Sequence, residues 1–429
     1  MAYFFLLIYT ALIYIRPQDI YQELYGVTPP PILPATLLLT LVVAIVTRQL
    51  NIHRLFSLPQ SKLLFGFFGA CILSQLIHLR FRGAWEASYL FSNVVVLYVF
   101  IVCLLNTPGK IKGYVVLLVI LTFFLAYQGI EQYRTGTSWG GHTAYVKGDE
   151  VRIRWVGIFD DPNDLACALI LAVPFLLFFL VSQKPFLLKG ASVSIFAAIL
   201  YAIFLTRSRG GFLTLGAVFY IFFFTRYKGI KFALMGGVGF CFLFFLLPER
   251  ITSSLAGGSF VDYGRVDAWS TGLAMLKSSP ILGVGQGLFQ EYHERAAHNA
   301  YIEILSETGI VGMFFWVALL YVTLRDGYRM NKMKSLGQLE DPHCLMDIGM
   351  SLFIALLGFL CIAFFLSRAY NVLLYILIAA WVATVYMLRG DNDKLNLKFE
   401  ANDFFRVSCL VVGFIIFLDI GVRFLWLAR

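Results

Sequence analysis

Apolar runs of about 20 residues follow one another along the whole chain, separated by short segments with Pro, Gly or basic residues. As α-helices, runs of this length cross a hydrocarbon layer of about 30 Å. The alternation of apolar and polar residues that a membrane β-barrel requires is not visible. The pattern therefore predicts an all-α polytopic transmembrane bundle with 12 or 13 spans. The predicted spans are 3–16, 32–48, 62–79, 86–105, 112–130, 163–182, 187–205, 210–225, 230–247, 300–324, 346–366, 371–388 and 406–426.

We interpret residues 1–429 as a single integral membrane domain with two long connections, 131–162 and 248–299. Within the second connection Val266, Trp269, Leu273 and Leu276 recur at helical spacing and are followed by Pro280. This spacing predicts an amphipathic helix that lies at the membrane interface.

The distribution of lysines predicts the orientation. Eleven of the 13 lysines lie in one alternate set of short connections, which places that set in the cytoplasm and both long connections outside. The outer side then holds only two lysines, although 14 of the 21 arginines lie there. Because the guanidinium fork suits bidentate phosphate binding, this bias favours recognition of an anion at the outer membrane boundary. The alternative is that these arginines reach towards lipid headgroups.

Composition excludes several classes of protein. With 59% hydrophobic and 14% charged residues, the chain has too much apolar surface for water-soluble domains. The net charge of +9 comes from basic residues in short connections, so nucleic acid is not an expected partner. The seven cysteines include no C-x-x-C pair and are interpreted as small packing residues, not as metal ligands or a disulfide framework.

The first candidate site is the sequence TRSRGG at 206–211, at the outer junction of two predicted spans. Two guanidiniums, Arg207 and Arg209, flank Ser208, and the two glycines allow close approach of the backbone to a ligand. The next helix is predicted to begin at Gly210, where its free N–H groups favour an anion. We expect a diphosphate site here, the alternative being a tight turn with lipid-facing arginines.

The second candidate site lies at the end of the 248–299 connection. His298 and Asn299 directly precede a predicted span, and Arg265 opens the predicted amphipathic helix. An imidazole at this position can accept a proton from a hydroxyl nucleophile near neutral pH. His293 competes for that role, and an interfacial histidine without a catalytic function is the alternative.

The third feature is GIFDDPNDLA at 157–166. Pro162 is predicted at the first position of a helix, with Asp161 as its N-cap. Capping alone accounts for this motif. The adjacent carboxylates of Asp160 and Asp161 could also hold a divalent ion together with a diphosphate.

Together these motifs resemble the O-antigen ligase and polymerase superfamily. The resemblance is carried by TRSRGG, then GR…W, PILGVGQGLF and HNAYIEILSETGIVG, with GIFDDPNDLA before them. It covers roughly residues 157–320. The resemblance implies a GT-C-type helical fold and a donor glycan on a polyprenyl diphosphate, with no cofactor and no metal. One departure is the span count, because a thirteenth span places the C-terminal end outside, whereas similar ligases have both ends inside.

The resemblance also implies roles for individual residues. Arg209 and Arg265 match the arginines that hold the diphosphate, and His298 matches the residue that activates the acceptor. The remaining residues that we expect to bind substrate are Arg207, Ser208, Asn299, Asp161, Asn163 and Trp269.

We predict a glycosyltransferase of the bacterial inner membrane whose site faces the periplasm or exterior and inverts the anomeric centre. The favoured acceptor is lipid A–core, which would make the protein an O-antigen ligase. The alternatives are an O-antigen or exopolysaccharide polymerase, a protein O-oligosaccharyltransferase and, from a different class, a flippase for lipid-linked glycans.

Overall fold

The computed structural model describes residues 1–20, 32–148, 150–181, 186–227, 263–337, 341, 344–389 and 397–427. These residues form an all-α polytopic protein with one short hairpin, which confirms the predicted fold class. The helices are α1 (Ala2–Ile15), α2 (Pro17–Ile20), α3 (Ile32–Val46), α4 (Ile52–Phe56), α5 (Pro59–Leu76), α6 (Phe81–Leu104), α7 (Pro108–Thr135), α8 (Pro162–Val181), α9 (Phe186–Thr206), α10 (Arg209–Tyr227), α11 (Tyr263–Ser278), α12 (Phe289–Tyr292), α13 (Ala300–Ser335), α14 (Leu345–Ala363), α15 (Val372–Arg389) and α16 (Ala401–Leu427).

Twelve of the thirteen predicted spans coincide with a helix, and the remaining one, 230–247, lies outside the described residues. Within the described residues, nine helices are long and apolar enough to cross a membrane, namely α6–α10 and α13–α16. The helices α1 and α3 have 14 and 15 residues. Both are shorter than the roughly 20 residues that a full crossing requires.

The chain divides into two compact units. In the first unit α8 packs against α7, α9 and α10, and α1 packs against α3 and α7. Nearly every residue of α8 from Pro162 to Phe178 is buried. A helix that is apolar on all sides occupies the centre of a bundle, so α8 is the core of this unit.

In the second unit α13 is the central helix, and it packs against α5, α11, α15 and α16. The residues Val266, Leu273 and Leu276 of α11 are buried within this unit. The predicted helix is therefore present, but its apolar face packs against protein. A Cβ on Gly272 would lie 2.6 Å from the side chain of Ile302, so α11 approaches the first turn of α13 closely.

A β-hairpin in the first unit was not predicted. Strands β1 (Tyr145–Lys147) and β2 (Glu150–Arg152) pair antiparallel, with Tyr145 opposite Arg152. Gly148 supplies a positive φ of 61° between them. A glycine turn between two short strands is a hairpin signal, but strands of three residues leave almost no periodicity in the sequence.

The long helix α13 is interrupted at Gly309, whose φ is 64° and ψ −163°. The interruption allows the 280–285 segment to bond with the backbone of α13. Ile310 N–H donates to the carbonyl of Pro280 (2.9 Å), and Gly285 N–H donates to the carbonyl of Glu307 (2.9 Å). A Cβ on Gly309 would lie 2.5 Å from backbone atoms of Ile281 and Gly283, so no larger residue fits.

We predict that Gly309→Ala lowers the free energy of unfolding by about 3 kcal/mol or more, because the strained φ and the backbone clash add together. Gly413→Ala is the control. Its Cβ would meet no atom within 4 Å. Alanine there should be neutral or stabilise α16 by up to about 1 kcal/mol. The measurement is the thermal unfolding midpoint of the purified protein in detergent, and an unchanged midpoint for Gly309→Ala contradicts the packing described above.

The last helix, α16, runs antiparallel to α13. Near its start Asp403 pairs with Arg325, in the C-terminal part of α13. Near its end Asp419 pairs with Lys277 of α11 (3.3 Å). Because α11 packs against the first turn of α13, the end of α16 lies on the side of the unit where α13 begins.

This arrangement predicts that residues 294 and 423 lie on the same side of the membrane, and both side chains are exposed. In a variant without native cysteines, Glu294→Cys and Arg423→Cys should react alike with an impermeant maleimide in intact cells. Lys334→Cys, near the other end of α13, should react only after permeabilisation. If Arg423→Cys instead behaves like Lys334→Cys, the path of α16 across the membrane is wrong.

Candidate active site

The arginine turn (residues 206–211) joins α9 to α10 in the first unit. Arg207 has a left-handed backbone with φ 49°. Ser208 is buried and caps α10, since its Oγ accepts from Gly211 N–H (3.1 Å) and its carbonyl accepts from Phe212 N–H (3.0 Å). The helix begins at Arg209, one residue earlier than predicted. The local geometry is that of a capped helix start.

The two arginines of this turn have different surroundings. The guanidinium of Arg207 lies 3.8 Å from Glu150 Oε1 of the hairpin. Arg209 is exposed at the first position of α10 and forms no ion pair with any described residue. An exposed guanidinium beside the free N–H groups of a helix N-terminus attracts an anion through both the cation and the helix dipole.

The GIFDDPNDLA motif begins α8, the neighbour of α10. Asp161 is the N-cap, as predicted, because its Oδ1 accepts from Asn163 N–H (2.7 Å). Asp160 lies 3.2 Å from the guanidinium of Arg154. Asn163 Oδ1 accepts from the guanidinium of Arg152 (3.2 Å). Among the described residues no group of three or more His, Cys, Asp or Glu side chains is placed to hold a metal ion.

The histidine segment (residues 293–299) lies in the second unit, directly before α13. His298 is exposed and has a left-handed backbone with φ 47°. Asn299 is fully buried, and its Oδ1 accepts from Tyr301 N–H (3.0 Å) and Ile302 N–H (3.2 Å). Its Nδ2 has no hydrogen-bond partner among the described residues. The cap fixes the backbone that carries His298 at the surface.

Trp269 connects α11 to the histidine segment. Its Nε1–H donates to the carbonyl of Ala297 (3.0 Å), one residue before His298, and its ring packs edge-on against Phe364. Arg265, in the first turn of α11, is four residues earlier and therefore on the same face of the helix. The indole thus has a positioning role in addition to any contact with substrate.

The imidazole of His293 is held by neighbouring residues. Its Nε2 lies 3.3 Å from Asp267 Oδ2, and its Nδ1 lies 3.0 Å from Arg295 N and 2.9 Å from Arg295 O. Both ring nitrogens are engaged inside the second unit, and this imidazole joins the histidine segment to α11. The preference for His298 over His293 as the proton acceptor stays a prediction.

Sequence reasoning missed Glu307, a buried carboxylate in α13. Its Oε1 accepts from Phe289 N–H (3.1 Å) and its Oε2 accepts from the hydroxyl of Tyr370 (3.0 Å). Burial and the neighbouring Glu307 raise the pKa of Tyr370 well above its usual value, so this phenol remains a donor. The signal in the sequence for this residue was an acidic side chain within an apolar run, because a charged side chain inside a span is rare unless it has a function.

The structure groups the predicted residues within each unit. The first unit brings Arg207, Ser208 and Arg209 next to Asn163, through Arg152. The second unit brings Trp269 to the segment of His298 and Asn299. The predicted roles of all these residues in substrate binding and catalysis stay predictions.

Comparison with known families adds an independent finding. Residues 194–317 match the sequence model of the family described as O-antigen ligase. We refer to this matched segment, 124 of the 429 residues, as the O-antigen ligase domain. Comparison of the whole chain with curated protein sequences gives no match.

The O-antigen ligase domain includes both the arginine turn and the histidine segment, whereas the capping motif of α8 lies before it. It confirms the resemblance drawn from TRSRGG and HNAYIEILSETGIVG. Together with the nine apolar helices of the described residues, this match supports a multi-pass membrane protein of a glycosyltransferase type.

We predict that Trp269→Phe loosens the histidine segment, because the phenyl ring fills much of the space of the indole but cannot donate to Ala297. The loss of this bond should cost about 1 kcal/mol of stability. Hydrogen exchange of the backbone amides of residues 293–299, followed by mass spectrometry, should become faster. Thr271→Val, which removes a bond within α11 to Asp267 only, is the control. Equal exchange in all three proteins would contradict a positioning role for Trp269.

Proposed function

We propose that this chain transfers a glycan from a polyprenyl diphosphate to an acceptor hydroxyl at the extracytoplasmic face of a bacterial inner membrane. The observation that carries the proposal is Arg209, an exposed guanidinium at the N-terminus of α10 within the O-antigen ligase domain. A diphosphate at the membrane surface is the anion that such a position suits. The scarcity of lysines on this side supports the orientation.

The chemistry requires charge neutralisation and the movement of one proton. The acceptor oxygen forms a bond to the anomeric carbon while the bond from that carbon to the diphosphate oxygen breaks, and the lipid diphosphate leaves with the electron pair. Arg209 and Arg265 compensate the charge of the leaving group, with Arg207 in support. His298 takes the proton of the acceptor hydroxyl. Direct attack inverts the configuration, and no metal is needed because arginines supply the positive charge.

The identity of the acceptor decides which kind of glycan transferase the protein is. We favour lipid A–core, which makes the protein an O-antigen ligase. Transfer to a second lipid-linked glycan defines a polymerase, and transfer to a protein hydroxyl defines an oligosaccharyltransferase. The candidate residues for the donor are the same in all three.

Transport of a lipid-linked glycan is the alternative from a different class. Transporters use ionisable residues near the middle of the bilayer. Asp419 of α16 is one candidate, but it pairs with Arg423 (2.8 Å) and with Lys277 of α11 (3.3 Å). A carboxylate that is already paired with two cations, eight residues before the last residue of α16, favours an enzyme that works at one face.

We predict that His298→Ala lowers the rate of glycan transfer by roughly 10²–10⁴-fold, as expected for the loss of a general base. Arg209→Ala should lower it by roughly 10²–10³-fold, through the loss of electrostatic stabilisation. The assay combines purified protein with a polyprenyl-diphosphate glycan and, in separate reactions, lipid A–core, more lipid-linked glycan or a protein acceptor. Products are separated by glycan gel mobility.

Two matched variants serve as comparison. Arg82→Ala removes an arginine that is also exposed and predicted to be external, and whose partner is Glu86. This variant should transfer glycan like the wild type. His293→Ala should mainly lower the thermal unfolding midpoint, with a smaller effect on the rate of glycan transfer. Full activity of Arg209→Ala and His298→Ala overturns the assignment of the site, and failure of every acceptor with the wild type makes transport the leading function.

A further inference from the structure

The hairpin of the first unit is attached to the arginine turn. Arg152 of β2 is 7% exposed, and its Nε donates to the carbonyl of Thr206 (2.9 Å), the first residue of the turn. Its Nη2 donates to Asn163 Oδ1 at the start of α8 (3.2 Å). One residue later, Ile153 N–H donates to the carbonyl of Leu205 (3.4 Å). The hairpin therefore binds the last carbonyls of α9 and ties the turn to α8.

The same hairpin brings a carboxylate to the turn. Glu150 Oε1 lies 3.8 Å from the guanidinium of Arg207, and the two side chains are 18% and 32% exposed. Arg207 adopts its left-handed conformation at this point. The cation that the sequence assigns to a diphosphate is thus paired with a carboxylate of the same unit.

We propose that the hairpin sets the arginine turn for the donor: Arg152 positions its backbone, and Glu150 holds Arg207 until the diphosphate displaces the carboxylate. This inference rests on the proposed function, because it assumes that the anion is the diphosphate of the donor. Neither residue touches the reacting atoms, so both are positioning residues.

The charges around the arginine turn explain the roles of Glu150 and Arg152. Three guanidiniums, of Arg152, Arg207 and Arg209, belong to or contact one short turn, and without an anion their charges repel one another. Glu150 offsets this repulsion. A diphosphate carries more negative charge than one carboxylate and offers more acceptor oxygens to the guanidinium fork, so it can replace Glu150. The buried Arg152 keeps its bonds to Thr206 and Asn163 during the exchange.

Substitutions of Glu150 and Arg152 are therefore expected to change the KM for the donor in opposite directions. Glu150→Gln removes the competing charge and should lower the KM for the donor by roughly two- to fivefold, the range of a partly exposed ion pair. Arg152→Gln releases the turn and should raise this KM by roughly tenfold or more, since it breaks two charge-assisted bonds. The KM for the acceptor should stay the same in both variants. A residue that only stabilises the fold would lower the amount of active protein without moving the KM.

Two further variants test the specificity of these effects. Arg154→Gln is the matched control, because Arg154 lies next to the hairpin but bonds to Thr143 and Asp160. It should leave the KM for the donor unchanged. In an Arg207→Gln background, Glu150→Gln should no longer lower that KM, because the interaction it removes is already absent. A persistent effect in that background overturns the pairing.

A second measurement needs neither donor nor activity. Modification of Arg207 by a dicarbonyl reagent, mapped by peptide mass spectrometry, should be faster in Glu150→Gln than in the wild type and in Arg154→Gln. Polyprenyl diphosphate should slow the modification of Arg207 in the wild type. If the lipid protects Arg207 but Glu150→Gln changes neither reactivity nor KM, the role of the hairpin is refuted and the proposed function survives. If Glu150→Gln exposes Arg207 but the lipid never protects it, the pairing stands and the diphosphate donor is wrong.

Discussion

Hydrocarbon offers no partner to a backbone N–H or C=O group, and this constraint explains where the chemistry of the chain lies. A helix satisfies its own backbone except for the first N–H and the last C=O groups. The candidate residues are found at such ends. Arg209 begins α10, Asn299 caps α13 and Asp161 caps α8. The groups that most need a partner are also those that attract an anion, so capping and binding share the same few residues.

The interruption of α13 obeys the same constraint. Non-helical backbone within an apolar segment persists where protein covers it. At Gly309 the cover is the 280–285 segment, whose N–H groups and carbonyls replace the missing helical partners. Glu307 then reaches the backbone of Phe289 on the way to the histidine segment. The interruption of α13 thus contributes, through Glu307, to the support of the loop that carries His298.

Local patterns in the sequence were enough for the helices at twelve of the thirteen predicted spans, the N-cap at Asp161 and the helix of Trp269. They could not give the bond from Trp269 to Ala297 or the pairing of Glu150 with Arg207, because these residues are 28 and 57 positions apart. The hairpin was missed because three-residue strands leave almost no periodicity. The left-handed backbone of Arg207 and His298 has no local signal either, since neither is a glycine, and the caps that follow impose it.

The left-handed backbone of Arg207 and His298 sets the stability of the fold against the proposed activity. A non-glycine residue held in this region costs the native state of order 1 kcal/mol, which glycine would not. Selection for heat resistance alone would therefore favour glycine at positions 207 and 298, and would erase a guanidinium and an imidazole. The roles proposed for the guanidinium and the imidazole give a reason why both positions hold large polar side chains despite this conformational cost.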